Sequence, residues 1–279
     1  MLRMHRGSRT QADVVAAVQE MSGPTLSRYE RAGVEMKPEK VVALLRYYGA
    51  PQKDVTEALD CLARARQSPG WAPPQGSSEA FRLLFAMESR AKVIRAYQES
   101  SIPGMLQTRA YAKALMAELG RAHRDPARRA QLQREIEERL GFRMRRQSLL
   151  DGDSAPVFEA IIAEAALLTQ RGGRMVHREQ LRHLYSVAEN KPRVRLRILR
   201  GSAPSAGSAL HNAMTLLKPH DDELGKAVYL ENRNRGGEMI TDEAEVEAYQ
   251  QSLEELWADA EDKSTTMELL QHYIDQLRD

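Results

Sequence analysis

Residues 10–38 read TQADVVAAVQEMSGPTLSRYERAGVEMKP, two short helical patterns separated by Ser22-Gly23-Pro24. The first opens at Thr10-Gln11 and repeats apolar residues at Val14, Val15 and Val18, the spacing of one helix face. Ser22 suits the N-cap of the second, because its hydroxyl can accept a free backbone N–H of the first turn. Pro24 falls where a helix start tolerates proline. The second pattern turns Leu26 and Tyr29 inward and leaves Pro24, Thr25, Arg28 and Arg31 on the opposite arc. A short helix with a small-polar and arginine face, braced by the helix before it, is the arrangement of a helix-turn-helix.

The segment resembles the DNA-binding part of xenobiotic-response-element (XRE) type regulators, which are related to phage repressors. Their pattern has a Thr/Ser-Gln start, a turn, then a hydrophobe-Ser-Arg-hydrophobe-Glu run, met here by Gln11, Leu26, Ser27, Arg28, Tyr29 and Glu30. The chain departs from it at Ala32, where glycine is usual, and at Arg9, where leucine is usual. The resemblance implies that Gln11 clamps a phosphate of double-stranded DNA. On chemistry, Arg28 is the candidate for a bidentate contact to guanine. Thr25 can meet a thymine methyl or hydrogen-bond, and Pro24 offers apolar contact. Arg9, Ser22, Arg31 and Lys37 are phosphate candidates, which position without specifying. Glu30 is expected to face partly inward and pair with Arg3 or Arg6 of a first helix at about Leu2–Arg6.

At 279 residues the chain suggests two domains or one large one, and 42% hydrophobic with 29% charged residues allows a core beside a soluble surface. One cysteine, Cys61, excludes a disulfide framework and a four-cysteine zinc site. It lies between Leu59 and Leu62 in an apolar pattern and reads as a buried thiol. No secretory leader and no membrane-spanning apolar run is present, which points to a cytoplasmic protein without a membrane partner. The net charge of +2 is uneven. Residues 1–46 hold eight basic and five acidic residues, and residues 121–146 nine and four. Residues 231–279 hold four and fourteen. A basic front and an acidic rear suit a protein that meets phosphates with one end only. The block at 121–146 reads as the solvated face of an amphipathic helix with Leu132, Ile136, Leu140 and Met144 as its apolar stripe.

The expected fold class is α+β and mainly helical. An all-α, lambda-repressor-like helix-turn-helix domain spans residues 1–66, a linker 67–79, and a regulatory and dimerisation domain with a small sheet 80–279. The first domain continues with a helix from Pro38 closed by Gly49, then one from about Gln52 to Gln67. SPGWAPPQGSS at 68–78 is too rich in proline and glycine for an element, and Trp71 is expected to dock on one domain. Helices follow at about Glu79–Glu99, Thr108–Leu119, Pro126–Leu150 and Gly173–Glu189. Strands are expected at Val157–Ile162, Val194–Leu199, Ala213–Leu217 and Ala227–Leu230, with a turn at Gly236-Gly237. Asp242 caps a long helix, and Thr265 with Glu268 reads as the capping box of the last.

Ile102-Pro103-Gly104-Met105-Leu106-Gln107-Thr108, followed by Tyr111-Ala112, resembles the PGLLQT-x-x-YA signature of the Scr-type antitoxin-like regulators. Arg145-Arg146-Gln147, Glu164-Ala165, Gln180-Leu181, Val228-Tyr229-Leu230-Glu231 and Ile240-Thr241-Asp242 extend the likeness along the chain. It implies an XRE domain joined to a C-terminal domain for self-association and a small partner protein or signal. Physically the signature is a turn between helices, with Gln107 and Thr108 as caps, and a structural corner is the preferred reading.

No nucleotide loop, H-E-x-x-H or C-x-x-C occurs, so no enzyme and no cofactor is expected. His177 and His183 lie six apart, read as surface or helix-edge residues rather than a metal pair. His220-Asp221-Asp222-Glu223 reads as a solvated turn, and Glu159 and Glu164 have no nucleophile beside them in sequence. Two functions remain. One is a sequence-specific regulator that binds an inverted-repeat operator as a homodimer. The alternative is an antitoxin-like module that sequesters a small partner protein. The exposed arginine face favours the first.

Overall fold

The computed structural model describes residues 2–18, 21–30, 36–56, 58–59, 72–120, 126–206, 213–220, 224–231 and 237–277. Cys61, Trp71, the acids 221–223 and Gly236 lie outside these, as do the side chains of Arg28 and Leu132. The chain divides into two compact units, Met1–Ala72 and Pro73–Asp279.

The first unit is helical: α1 (Leu2–Arg6), α2 (Gln11–Ala17), α3 (Gly23–Glu30), α4 (Pro38–Tyr48) and α5, which opens at residues 52–56. The local chemistry explains the boundaries. Thr10 and Asp13 form a reciprocal capping box at α2, with Asp13 N–H on the Thr10 hydroxyl at 3.2 Å and Thr10 N–H on the Asp13 carboxylate at 3.0 Å. The Thr10 hydroxyl, which donates to the Asp13 carboxylate at 2.7 Å, and then the Thr10 N–H hold the Asp13 carboxyl below its ordinary range. α4 begins with Pro38 in its first turn and stops at Gly49, whose φ of 76° is left-handed and suits glycine. Val14, Leu26, Leu44 and Leu45 are fully buried in a shared core with Val18, Tyr29, Val41 and Val55.

The second unit is built on a six-stranded sheet in the order β3-β2-β1-β4-β5-β6. Its elements are α6 (Glu79–Glu88), β1 (Ala91–Gln98), α7 (Arg109–Gly120), α8 (Pro126–Arg146), β2 (Val157–Ala163), α9 (Glu164–Leu168), α10 (Arg174–Asn190), β3 (Val194–Leu199), β4 (Met214–Pro219), β5 (Ala227–Leu230), β6 (Glu238–Ile240), α11 (Glu243–Asp259) and α12 (Lys263–Gln276). β1, β2 and β3 run parallel, with Ile94 beside Phe158 and Phe158 beside Val194. β4 is antiparallel to β1, and β5 and β6 continue antiparallel. Helices cover both faces. Ile94, Phe158, Ile162 and Leu196 pack with Leu184 of α10 and Leu270 of α12. Tyr97, Ile161, Leu216 and Val228 pack with Leu253 and Leu256 of α11. The architecture is thus α+β and mainly helical, with a small mixed sheet in the second unit.

Three local expectations are corrected. The helix expected over Glu79–Glu99 ends at Glu88, and Ala91–Gln98 is the strand β1, third in the sheet from the β3 edge. Ile94 is buried on one face and Tyr97 on the other, so the strand lacks the alternation of a half-exposed one. The last helix starts a turn earlier than Thr265: Asp262 is its N-cap and accepts Thr265 N–H at 2.8 Å. The helix expected to reach Leu150 gives way to a 3₁₀ turn at Gln147–Leu150.

Candidate nucleic-acid interface

α2 and α3 form the helix-turn-helix, and the free end of α3 is its exposed part. The Ser22 hydroxyl accepts Thr25 N–H at 3.3 Å and lies 2.7 Å from the Thr25 hydroxyl. Leu26 N–H donates to Ser22 C=O at 2.8 Å, so Ser22 is the N-cap. Ser22 and Pro24 are exposed and Thr25 is half-buried, while Leu26 and Tyr29 are buried beneath them. Ser22, Pro24 and Thr25 therefore present one small-polar surface at the positive end of a helix, which suits an anion or a base edge. Arg28 belongs to α3, and Arg31 lies outside the described residues.

The brace behind this face is Glu30, whose side chain is only 5% exposed. Arg6 Nε of α1 donates to its Oε1 at 2.5 Å, and Gln11 Nε2 of α2 donates to its Oε2 at 3.1 Å. One carboxylate thus joins three helices. Gln11 gives one amide hydrogen to this contact, and the carboxamide has a second for a phosphate. Arg6 also donates to Arg9 C=O at 2.5 Å, fixing the loop before α2. The Arg9 guanidinium lies 5.9 Å from the Tyr47 ring centroid, and Arg9 and Tyr47 are both exposed. Tyr47 is an addition to the candidate surface, because its place beside Arg9 depends on how α4 packs. Lys37 is exposed, and its N–H donates to the Tyr29 hydroxyl at 3.2 Å. Burial, reinforced by the Glu30 charge, pushes the neighbouring Tyr48 hydroxyl up to about 12.

The signature in the second unit folds into a corner held by three glutamines. Gly104–Leu106 make a 3₁₀ turn. Gln107 Nε2 donates to Ile102 C=O at 2.6 Å, while its Oε1 accepts Arg143 at 2.6 Å. Gln180 accepts Thr108 N–H at 2.7 Å and donates to Leu106 C=O at 2.8 Å. Gln147 donates to Gly104 C=O at 3.1 Å and Gln107 C=O at 2.7 Å. Thr108 alone caps α7, its hydroxyl accepting Tyr111 N–H at 3.3 Å; Gln107 brackets the turn instead.

Residues 81–272 match the model of a family described as a domain of unknown function (DUF5753). The chain belongs to this family. Residues 1–59 match the model described as a helix-turn-helix domain. No curated protein and no solved structure matches the chain significantly. Within the DUF5753 region, His177 is fully buried, not a surface residue: its Nε2 lies 2.7 Å from Leu167 C=O and its Nδ1 has no hydrogen-bond partner among the described residues. Burial lowers the proton affinity of His177 and His183. Glu159 is buried between Arg95 at 2.7 Å and Arg195 at 3.2 Å, and Glu164 accepts the Tyr273 hydroxyl at 2.7 Å. Among the described residues no three His, Cys, Asp or Glu side chains gather as a metal site. No helix there is long and apolar enough to cross a membrane.

Proposed function

We propose that the chain is a sequence-specific, double-stranded-DNA-binding transcriptional regulator of the XRE class. The observation that supports this most is the exposed Ser22-Pro24-Thr25 end of α3, carried on a helix pair that Glu30 braces. α3 enters the major groove with this end and with Arg28. Arg9, Gln11, Ser22, Arg31 and Lys37 hold phosphates on either side. A single domain of this size buries too little surface for tight specific binding. The DUF5753 region accordingly makes the homodimer that reads an inverted-repeat operator, and it takes a small protein partner or effector. It performs no catalysis, and the protein works in the cytoplasm.

The test is selection of duplexes from a random pool by the full-length protein, followed by binding measurements. An inverted repeat should emerge, and Arg28→Ala should cost about 1–3 kcal/mol and relax one base position in each half-site. Weak, sequence-blind binding that Arg28→Ala leaves unchanged would overturn the base-reading role. It would favour the antitoxin-like alternative, in which the helix-turn-helix serves a protein partner.

A further inference from the structure

Among the described residues β3 is an outer strand of the sheet, paired with β2 on one side only. Along a parallel pair, alternate residues aim their N–H and C=O at opposite sides. Phe158 N–H donates to Arg193 C=O at 2.8 Å, so residues 193, 195 and 197 face β2, while Val194, Leu196 and Ile198 face outward. The ends of this outer edge are closed within the chain. Val194 N–H donates to Lys191 C=O at 3.0 Å. Ile198 N–H donates to the Thr266 hydroxyl at 3.2 Å, and its C=O accepts Glu261 N–H at 2.9 Å. Between these closures the Leu196 N–H and C=O and the Val194 C=O have no hydrogen-bond partner among the described residues.

A cleft of about 200 Å³ opens along this gap. Lys191, Arg195, Arg197 and Lys263 line it with Trp257, and no carboxylate does so among the described residues. The Arg197 guanidinium lies 4.5 Å from the Trp257 ring centroid. Arg195 is 61% exposed and shares the single charge of Glu159 with Arg95. Lys191 pairs with Asp151 at 2.6 Å, and Lys263 has no acidic partner among the described residues. Arg197 also donates to Trp257 C=O at 2.8 Å and acts on the nearby Asp262 carboxylate. Lys191, Arg95, Arg195, Arg197 and Lys263 thus face the three acids Asp151, Glu159 and Asp262, and the rim keeps an excess of positive charge.

We propose that this cleft takes a short acidic segment of a partner protein, added in extended form as a strand beside β3. The inference rests on the reading of the DUF5753 region as a partner-binding domain and names the chemistry of that partner. Leu196 offers a donor and an acceptor, which a peptide backbone satisfies together; a nucleic-acid phosphate brings acceptors alone and leaves the carbonyls unpaired. A second copy of β3 is a poor occupant, because edge-to-edge pairing would set two cationic rims against each other. Carboxylates at alternate positions of the segment reach Arg195 and Arg197 on one flank, or Lys191 and Lys263 on the other.

The experiment uses the full-length protein and a fluorescent five-residue peptide alternating glutamate and valine, read by anisotropy. Saturable binding is expected, at least tenfold weaker with Arg195→Gln/Lys263→Gln and lost when the central peptide nitrogen is methylated. Operator binding by the same double variant should stay unchanged. Equal binding of the methylated peptide, or of one carrying lysine for glutamate, would overturn the strand model. So would an oligonucleotide that displaces the peptide with the same dependence on Arg195 and Lys263. If the peptide fails to bind but wild type and double variant capture the same protein from native cells, the cleft is not the site and the partner-binding reading survives. If neither peptide nor protein is held, both fall.

Discussion

The two units hold their defining corners by opposite chemistry. In the first, one charged carboxylate, Glu30, gathers α1, α2 and α3 through Arg6 and Gln11. In the second, the Pro103-Gly104 corner is held chiefly by neutral amides, with Gln107, Gln147 and Gln180 satisfying backbone groups of the turn. A charge pulled into a small helical unit ties distant helices strongly, but it fails if its partner is lost. A neutral bracket depends on filling both a donor and an acceptor at each site, and it needs no counter-charge.

The largest expected effect follows from that contrast. Arg6→Ala leaves the Glu30 carboxylate buried with one amide for company, and it should cost about 3 kcal/mol, the low end for a broken buried pair because Gln11 remains. Calorimetry of the full chain should show this as a loss in the helix-turn-helix transition, with the transition of residues 73–279 unmoved. Arg9→Ala, which removes a surface cation, is the control and should move neither by more than about 0.5 kcal/mol. Equal losses from the two substitutions would break the keystone account.

Gln180→Leu comes next. It leaves Thr108 N–H and Leu106 C=O without partners and should cost about 2–3 kcal/mol, confined to the second unit. Glu30→Gln and Gln180→Glu then sharpen the comparison. Removing charge from the first corner should cost less than Arg6→Ala. Adding charge to the second should cost more than Gln180→Leu at pH 7 and ease as the pH falls toward the carboxylate range. If Gln180→Glu is harmless at pH 7, the corner is wetter than its burial implies.

Much of this was legible in the chain, for identifiable reasons. The helix-turn-helix was readable because its caps, Thr10 and Ser22, and its inward residues, Val14, Leu26 and Tyr29, lie close together in sequence. The pairing of Glu30 with Arg6 was among the expectations although 24 positions separate them, because the helical phase of α3 turns Glu30 partly inward toward a first helix carrying Arg3 and Arg6. β2, β3 and β5 announced themselves through β-branched or aliphatic runs. β1 did not: Leu84, Phe85, Glu88 and Ala91 continue a helical spacing into it, and a strand buried on both faces has no alternation to show. The burial of His177 and the cationic cleft at β3 depend on contacts between residues tens of positions apart. Spacing along the chain carries no trace of such contacts.

A smaller effect concerns DNA. Lys37 is exposed and stands at the start of α4, and in the proposed complex it holds a phosphate rather than a base. Lys37→Ala should weaken all duplexes alike and lower the slope of log affinity against log salt by about one. Thr25→Ala should alter base preference and leave the slope unchanged. If Lys37→Ala instead changed which sequence is selected, the division between positioning and reading residues would have to be redrawn.

The smallest effect is a pH dependence that separates the units. Burial holds the folded-state proton affinity of His177 and His183 below the ordinary histidine value of 6.5. The unfolded chain therefore takes up protons that the folded one refuses, and stability falls with pH in this range. The contribution is complete above pH 6.5 and is lost as pH drops from there through the lowered folded values. In the first unit, the Asp13 carboxyl is held below 3.8 by its bonds to Thr10, so its contribution persists until the pH falls below 3.8. Acidification from pH 7.5 to 5.5 should thus lower the melting transition of the second unit, by about 2–4 °C for each kcal/mol lost, before the capping box of the first is touched. His177→Gln can keep a donor toward Leu167 C=O without a titrating ring, and it should flatten most of that slope. A slope unchanged in His177→Gln would assign it to His183, which a matching His183→Gln would then remove. A slope that survives both substitutions would mean that burial of these rings does not set the acid response of the DUF5753 region.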